Sequence, residues 1–181
     1  METQIRLLDF LISLVALILL TPLLALLFLV CFADTRRPIF TQKRVGKSEL
    51  PFTIYKFRTM KPGAGDIPTH LVSASLITKV GKFLRTYKLD ELPQLINVLV
   101  GNMSLVGPRP SLPSQKELIS VRRQFGVQNL KPGITGPAQI KGIEMSDPLG
   151  LVKEDVKLLE NFNFNFYFTC ILKTIMRLRN F

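Results

Sequence analysis

Within the stretch Gly81–Pro110, GKFLRTYKLDELPQLINVLVGNMSLVGPRP, two carboxylates stand side by side. They are Asp90 and Glu91, with basic residues before them and Arg109 after. Pro93 follows where the first turn of a helix tolerates proline, because its missing N–H would be unpaired there anyway. Leu92, Leu95, Ile96 and Leu99 continue as a short apolar helical stripe, and Gly101 is a suitable stop. The acidic pair therefore falls at or just before a helix N-terminus, where backbone N–H groups and the dipole favour negative charge. Such a place can hold an ionised carboxylate and a phosphate together. It serves equally for Asp90 as a plain helix cap. Spacing alone leaves both open.

The neighbouring segments must bring cations to that pair. GPRP (Gly107–Pro110) is a rigid turn that presents Arg109 with little backbone freedom. Residues 38–60 carry β-formers on both sides of Gly46 and predict a hairpin of two short strands, Ile39–Lys43 and Phe52–Phe57. On the second strand Lys56 and Arg58 point to the face opposite Phe57. From about Val72 to Lys88 the spacing is helical. Ile77, Val80, Phe83, Leu84 and Tyr87 gather on one side, Lys79, Lys82 and Lys88 lie towards the other, and Arg85 sits near the polar border. A basic amphipathic helix of this kind suits a headgroup plane, and packing on a domain core gives the same pattern.

Other segments carry weaker signals. Residues 61–70 hold two prolines and two glycines and read as a loop, with His70 solvated rather than a ligand. Residues 113–125 predict a polar surface helix of no chemical interest. Leu130–Gly142 (LKPGITGPAQIKG) predicts a loop whose backbone N–H groups can approach a phosphate closely. In the tail Phe162, Phe164 and Phe166 alternate with asparagines. Tyr167, Ile171 and Ile175 then repeat every fourth residue, with Lys173, Arg177 and Arg179 on other faces, as in a second interfacial helix.

At the N-terminus, Phe10–Phe32 is almost uninterrupted hydrocarbon, long enough for a bilayer core of ~30 Å. Pro22 removes a helical hydrogen bond at its middle and biases Thr21 away from helical geometry. Each arm is then roughly ten residues, about 15 Å, which reaches half-way. Arg6 precedes the run and Arg36, Arg37, Lys43 and Arg44 follow it, so both flanks read as cytoplasmic. A re-entrant helix-break-helix, with the Thr21 hydroxyl serving exposed backbone at the break, satisfies both observations. A kinked span stays open. A cleaved export signal does not fit a run this long with no small-residue site after it.

The totals narrow the function. The chain of 181 residues is one domain plus an anchor: residues 1–35, then a membrane-associated cytoplasmic domain over 36–181. Lys and Arg outnumber Asp and Glu 24 to 13, yet mean hydropathy is positive, at +0.27. Basic and greasy together point to an anionic membrane surface and an anionic substrate. A nucleic-acid binder would need stacking aromatics in a basic groove, and here the aromatics sit on apolar faces, so no nucleic-acid partner is expected. Cys31 and Cys170 show no pairing or metal spacing and read as reduced bystanders. The fold expected is mainly α with a short β-hairpin, on a re-entrant N-terminal anchor with amphipathic interfacial helices.

Thr-Pro in the N-terminal run, IYKFRTM, LDELPQLINVL, SLVGPRP and KPGITGPAQ, in this order, resemble the bacterial sugar transferases, and more narrowly the small monotopic phosphoglycosyl transferases. The resemblance spans nearly the whole chain. It implies transfer of a sugar-1-phosphate from a UDP-sugar to polyprenol (undecaprenyl) phosphate at the cytoplasmic leaflet of the bacterial inner membrane, with UMP leaving. By the same resemblance Asp90 is the nucleophile that forms a phosphosugar-aspartyl intermediate, and Glu91 binds Mg²⁺. Lys56, Arg85 and Arg109 match phosphate-engaging positions, and Thr21-Pro22 matches the membrane break, where relatives commonly carry Ser-Pro. Adjacent Asp and Glu can divide such work, one attacking while the other holds the metal. Two positions depart from the family pattern: Ile143 stands where relatives carry arginine, and Tyr167 where they carry aspartate. Asp155 matches an acidic position. The rival reading is a non-catalytic basic scaffold on anionic lipids, in which the acidic pair only caps a helix.

Overall fold

A computed structural model describes residues 2–61, 63 and 76–179. Most of the segment 61–70, including His70, and the start of the helix expected from Val72 lie outside the described residues, as do the side chains of Arg177 and Arg179. The N-terminal run is one helix, α1 (Glu2–Thr35), with Pro22 inside it, where a helix-break-helix was expected. It is long and apolar enough to cross a membrane by length and composition. The Thr21 hydroxyl donates to the Leu17 carbonyl at 2.7 Å, the i−4 back-bond that tends to bend a helix, next to the bond that Pro22 cannot make.

The hairpin forms as expected and runs slightly longer. β1 (Ile39–Val45) pairs antiparallel with β2 (Pro51–Phe57), Phe40 opposite Lys56. Helix α2 covers Lys79–Thr86, starting at a Thr78 cap rather than at Val72. A single 3-10 turn, Leu89–Glu91, leads into α3 (Gln94–Val100), which Gly101 ends at φ +93°. A second sheet was not expected: β3 (Ser104–Val106) pairs parallel with β4 (Gly133–Thr135). Helices α4 (Lys116–Gln124), α5 (Pro137–Lys141), α6 (Pro148–Asp155), α7 (Lys157–Glu160) and α8 (Phe164–Arg179) complete a mainly helical molecule.

The main core joins α1, β2, α3, β3 and α8 through Ile5, Ile54, Val98, Met103, Tyr167 and Cys170. A second cluster, of Leu27, Cys31, Phe57 and Leu84, holds the far end of α1 against β2 and α2. The buried face of α1 thus reads Ile5, Asp9 and Ser13 at one end and Leu27, Cys31 and Thr35 at the other. Its polar residues are tied in. Arg6 donates to the Val98 and Leu99 carbonyls at 2.5 and 2.7 Å, satisfying the open end of α3. Asp9 Oδ1 accepts from Leu105 N at 2.9 Å and from the Tyr167 hydroxyl at 2.8 Å.

The structure corrects three expected faces. In α3 the buried residues are Gln94, Leu95, Asn97 and Val98, while Ile96 is exposed, because the helix is clasped between α1 and β2 and not laid on one apolar surface. In α8 the inner face is Tyr167 and Cys170, with Ile175 outside beside Phe168 and Leu172. Helix α4, expected to be a plain surface helix, buries Leu118 and Arg122.

Candidate active site

Lys56, Asp90, Glu91 and Arg109 come from three separate stretches of chain. What assembles them is a set of backbone-level clamps. Asn97, fully buried on α3, acts as a surrogate strand for β2: its Oδ1 accepts from Tyr55 N at 3.1 Å and its Nδ2 donates to the Thr53 carbonyl at 2.7 Å. This pins β2 to the helix that follows the acidic pair. Lys56, next along β2, reaches Glu91 while Phe57 turns into the core, as strand alternation requires.

Arg109 is held by a different device. Gly107 and Gly133 pass backbone against backbone: a Cβ on Gly107 would stand 2.3 Å from the Lys131 carbonyl oxygen, and one on Gly133 2.1 Å from Gly107 N. Only glycine permits that approach. The N–H of Gly107 donates to Thr135 O and that of Gly133 to Pro108 O. The KPGITG segment, expected as a loop whose backbone N–H groups can approach a phosphate, thus uses its Gly133 N–H and its Thr135 carbonyl to brace the GPRP turn. β1 braces the turn's other side, with Val45 N donating to Ser111 O at 2.9 Å and Arg44 to Pro110 O at 3.2 Å.

The result is an asymmetric carboxylate pair. Lys56 Nζ and Arg109 Nη2 both donate to Glu91 Oε1, at 2.6 and 3.2 Å. Burial alone would raise the Glu91 pKa, but Lys56 and Arg109 outweigh it and hold this carboxyl well below the usual range. Burial pulls the Lys56 ammonium below its ordinary value, opposed by Glu91. Asp90 is 8% exposed, and its Oδ1 has no hydrogen-bond partner among the described residues. Burial, and then the adjacent Glu91 charge, push its carboxyl up to about 6. Neighbouring carboxylates with such different surroundings can take different tasks.

Asp90 does not cap α3. The residue at the cap position is Pro93, and no side-chain cap bond occurs there among the described residues. Arg85 stands apart from the ion-pair cluster. Its Nε donates to Thr59 Oγ1 at 2.9 Å, and it reaches Asp90 only as a nearby charge. Burial lowers its pKa, opposed by Asp90.

Other residues singled out in the sequence lie elsewhere. Tyr167 is in the core, bonded to Asp9. Asp155 is fully buried against Arg122 at 3.0 Å, linking α6 to α4. Ile143 packs on the cluster of Leu118, Val127, Ala138 and Leu151. Arg58 donates to the Arg37 carbonyl and lies over Phe40. Sequence reading missed Asn97, Asp9 and Thr59. A polar residue inside an apolar stripe, and a charge opening an apolar run, were the available signals for the first two.

As for metal, no group of three or more His, Cys, Asp or Glu side chains is arranged to hold an ion among the described residues. Glu91, the ligand expected from the sequence, would supply the protein's carboxylate oxygen. That donor fits a cation such as Mg²⁺, which keeps several waters and takes one or two carboxylates plus substrate phosphates.

The chain matches the bacterial sugar transferase family model over residues 2–180. It is 42% identical over 144 residues to the UDP-glucose:undecaprenyl-phosphate glucose-1-phosphate transferase of Klebsiella pneumoniae, covering 76% of this chain and 30% of that protein. To the uncharacterized sugar transferase EpsL of Bacillus subtilis (strain 168) it is 42% identical over 125 residues, covering 69% of this chain and 61% of that protein. To the UDP-glucose:undecaprenyl-phosphate glucose-1-phosphate transferase of Escherichia coli (strain K12) it is 40% identical over 139 residues, covering 74% and 30%. The chain thus spans about a third of two of these relatives and under two thirds of the third.

Proposed function

The chain belongs to the bacterial sugar transferase family, and we propose that it moves a sugar-1-phosphate from a UDP-sugar to undecaprenyl or another polyprenyl phosphate. The observation that carries the reading is the division within the acidic pair. Glu91 takes both cations, which leaves the buried Asp90 Oδ1 unpartnered. A carboxylate oxygen without competing donors is the better nucleophile.

Asp90 attacks the sugar-bearing phosphorus of the donor. A phosphosugar-aspartyl bond forms, the diphosphate P–O bond breaks, and UMP leaves with the bridging oxygen. A phosphate oxygen of the polyprenyl phosphate then attacks the same phosphorus, making the new diphosphate and releasing the Asp90 carboxylate. Lys56, Arg85 and Arg109 offset the charge of the phosphates, the arginines by forked contacts to paired oxygens. Glu91 would hold Mg²⁺, which would supply positive charge to offset the departing phosphate.

The second step needs the site near the lipid headgroups. Both ends of α1 pack on the same folded domain, Ile5 and Asp9 at one end and Leu27 and Cys31 at the other. A helix of 34 residues is about 51 Å long, and one that spanned a bilayer would put those ends on opposite sides. This supports a monotopic anchor that enters and leaves the cytoplasmic leaflet, bending near Thr21 and Pro22. Exposed Phe83 on α2, Tyr87 just past its end, and Phe164, Phe168 and Leu172 on α8 suit an interfacial position.

The deciding experiment incubates purified protein with labelled UDP-sugars and polyprenyl phosphate, with and without Mg²⁺. UMP release and a labelled adduct on Asp90, both absent in Asp90→Asn, are expected. Near wild-type turnover by Asp90→Asn would end the reading.

A further inference from the structure

Among the cations of the site, Arg85 is bound differently. Lys56 and Arg109 donate to Glu91, whereas Arg85 Nε donates to a neutral acceptor, Thr59 Oγ1, at 2.9 Å. Among the described residues Arg85 makes no ion pair, with Asp90 or any other carboxylate, and Nη1 and Nη2 make no hydrogen bond.

Thr59 is itself immobilised. It is 6% exposed, and its carbonyl accepts from Thr78 N at 3.1 Å. Gly81, in the first turn of α2, presses onto its backbone so closely that a Cβ would stand 2.1 Å from the Thr59 carbonyl oxygen. The Thr78 hydroxyl in turn caps α2 by accepting from Gly81 N at 2.8 Å. Arg85 follows Gly81 by four residues, one turn along the same face. One residue therefore grips α2 at its first turn by backbone and at its last turn through the arginine head.

A hydroxyl acceptor orients a guanidinium without neutralising it. A carboxylate in the same place would neutralise it and occupy the fork that matches phosphate oxygens. We propose that Thr59 is a positioning residue, whose hydroxyl holds Arg85 by Nε and off Asp90, so that Nη1 and Nη2 stay available for the phosphate oxygens of a nucleoside diphosphate donor. This inference rests on the transferase reading above.

The test is a double-mutant cycle on UDP affinity, using the full chain in detergent or nanodiscs. Thr59→Val removes the hydroxyl and keeps the branched shape, while Thr59→Ser keeps the hydroxyl. UDP binding should weaken about tenfold in Thr59→Val and stay within about twofold of wild type in Thr59→Ser. Adding Thr59→Val to Arg85→Met should cost nothing further. In turnover the Thr59→Val defect should appear in the donor KM and leave the acceptor KM unchanged. Equal losses with Arg85 and with Arg85→Met, or no loss in Thr59→Val, would overturn the proposal. If Thr59→Val does not fold, Thr59→Ala enters the same cycle. Wild-type protein that binds UDP but transfers no sugar phosphate would remove the transferase reading and leave the cycle readable. Wild-type protein that binds no UDP would overturn both.

Discussion

Burial lifts the Asp90 carboxyl to about 6 from an ordinary 3.8, so the nucleophile proposed above ionises near neutrality and not in acid. The acid limb of kcat/KM should have its midpoint near pH 6, read from initial rates of UMP release between pH 4.5 and 8. The same shift bears on stability. A carboxyl whose folded pKa lies above its unfolded one favours the fold below pH ~4, and this contribution is lost as pH rises through about 6. Asp90→Asn should therefore melt higher than wild type at pH 8, and the gap should close below pH 6. Glu91 has the opposite role. Glu91→Gln leaves the desolvated Lys56 without its partner, and urea unfolding should show a loss of about 3 kcal/mol. Adding Lys56→Met should return part of it.

At the scale of elements, strands and turns hold the cations still. Gly107→Ala cannot be absorbed, because the atoms it would meet are the Lys131 carbonyl and the Gly133 backbone nitrogen. The GPRP turn must shift, and kcat/KM should fall about 100-fold even with Arg109 intact. Asn97→Ala should uncouple β2 from α3. It exposes a buried donor and acceptor, costs about 2 kcal/mol or more, and lowers kcat through Lys56. Thermal unfolding and donor kinetics of the two variants check these outcomes. The hairpin, the stop of α3 at Gly101 and the acidic pair just before a helix were legible from residue types, because each depends on local backbone chemistry. The three-residue strands β3 and β4 were not. A parallel pair of that length has no periodicity of its own and forms only when distant Gly107 and Gly133 meet.

For the whole molecule the telling feature is α1, docked at both ends onto one domain. Single cysteines introduced at Glu2 and Arg36 in a cysteine-free background should both resist a membrane-impermeant thiol reagent in intact cells and react after lysis. Opposite accessibility of the two would mean a span. The Arg6 and Asp9 contacts also tie this helix to α3 and β3, which lie on the chain between Glu91 and Arg109. Helix α1 and the elements around the acidic pair are thereby one packed unit.

The order of charged, aromatic and proline residues by itself determined the helical class, the hairpin, the greasy N-terminal helix and the pairing of Asp90 with Glu91. These follow from neighbours along the chain. Only the tertiary structure decided which carboxylate holds Lys56 and Arg109 and which is left bare, since the donors arrive from β2 and from a turn braced by β4. It likewise decided that Tyr167 serves Asp9 in the core. Desolvation and hydrogen-bond geometry depend on segments far apart in sequence, and no local pattern encodes which of two adjacent carboxyls they will reach.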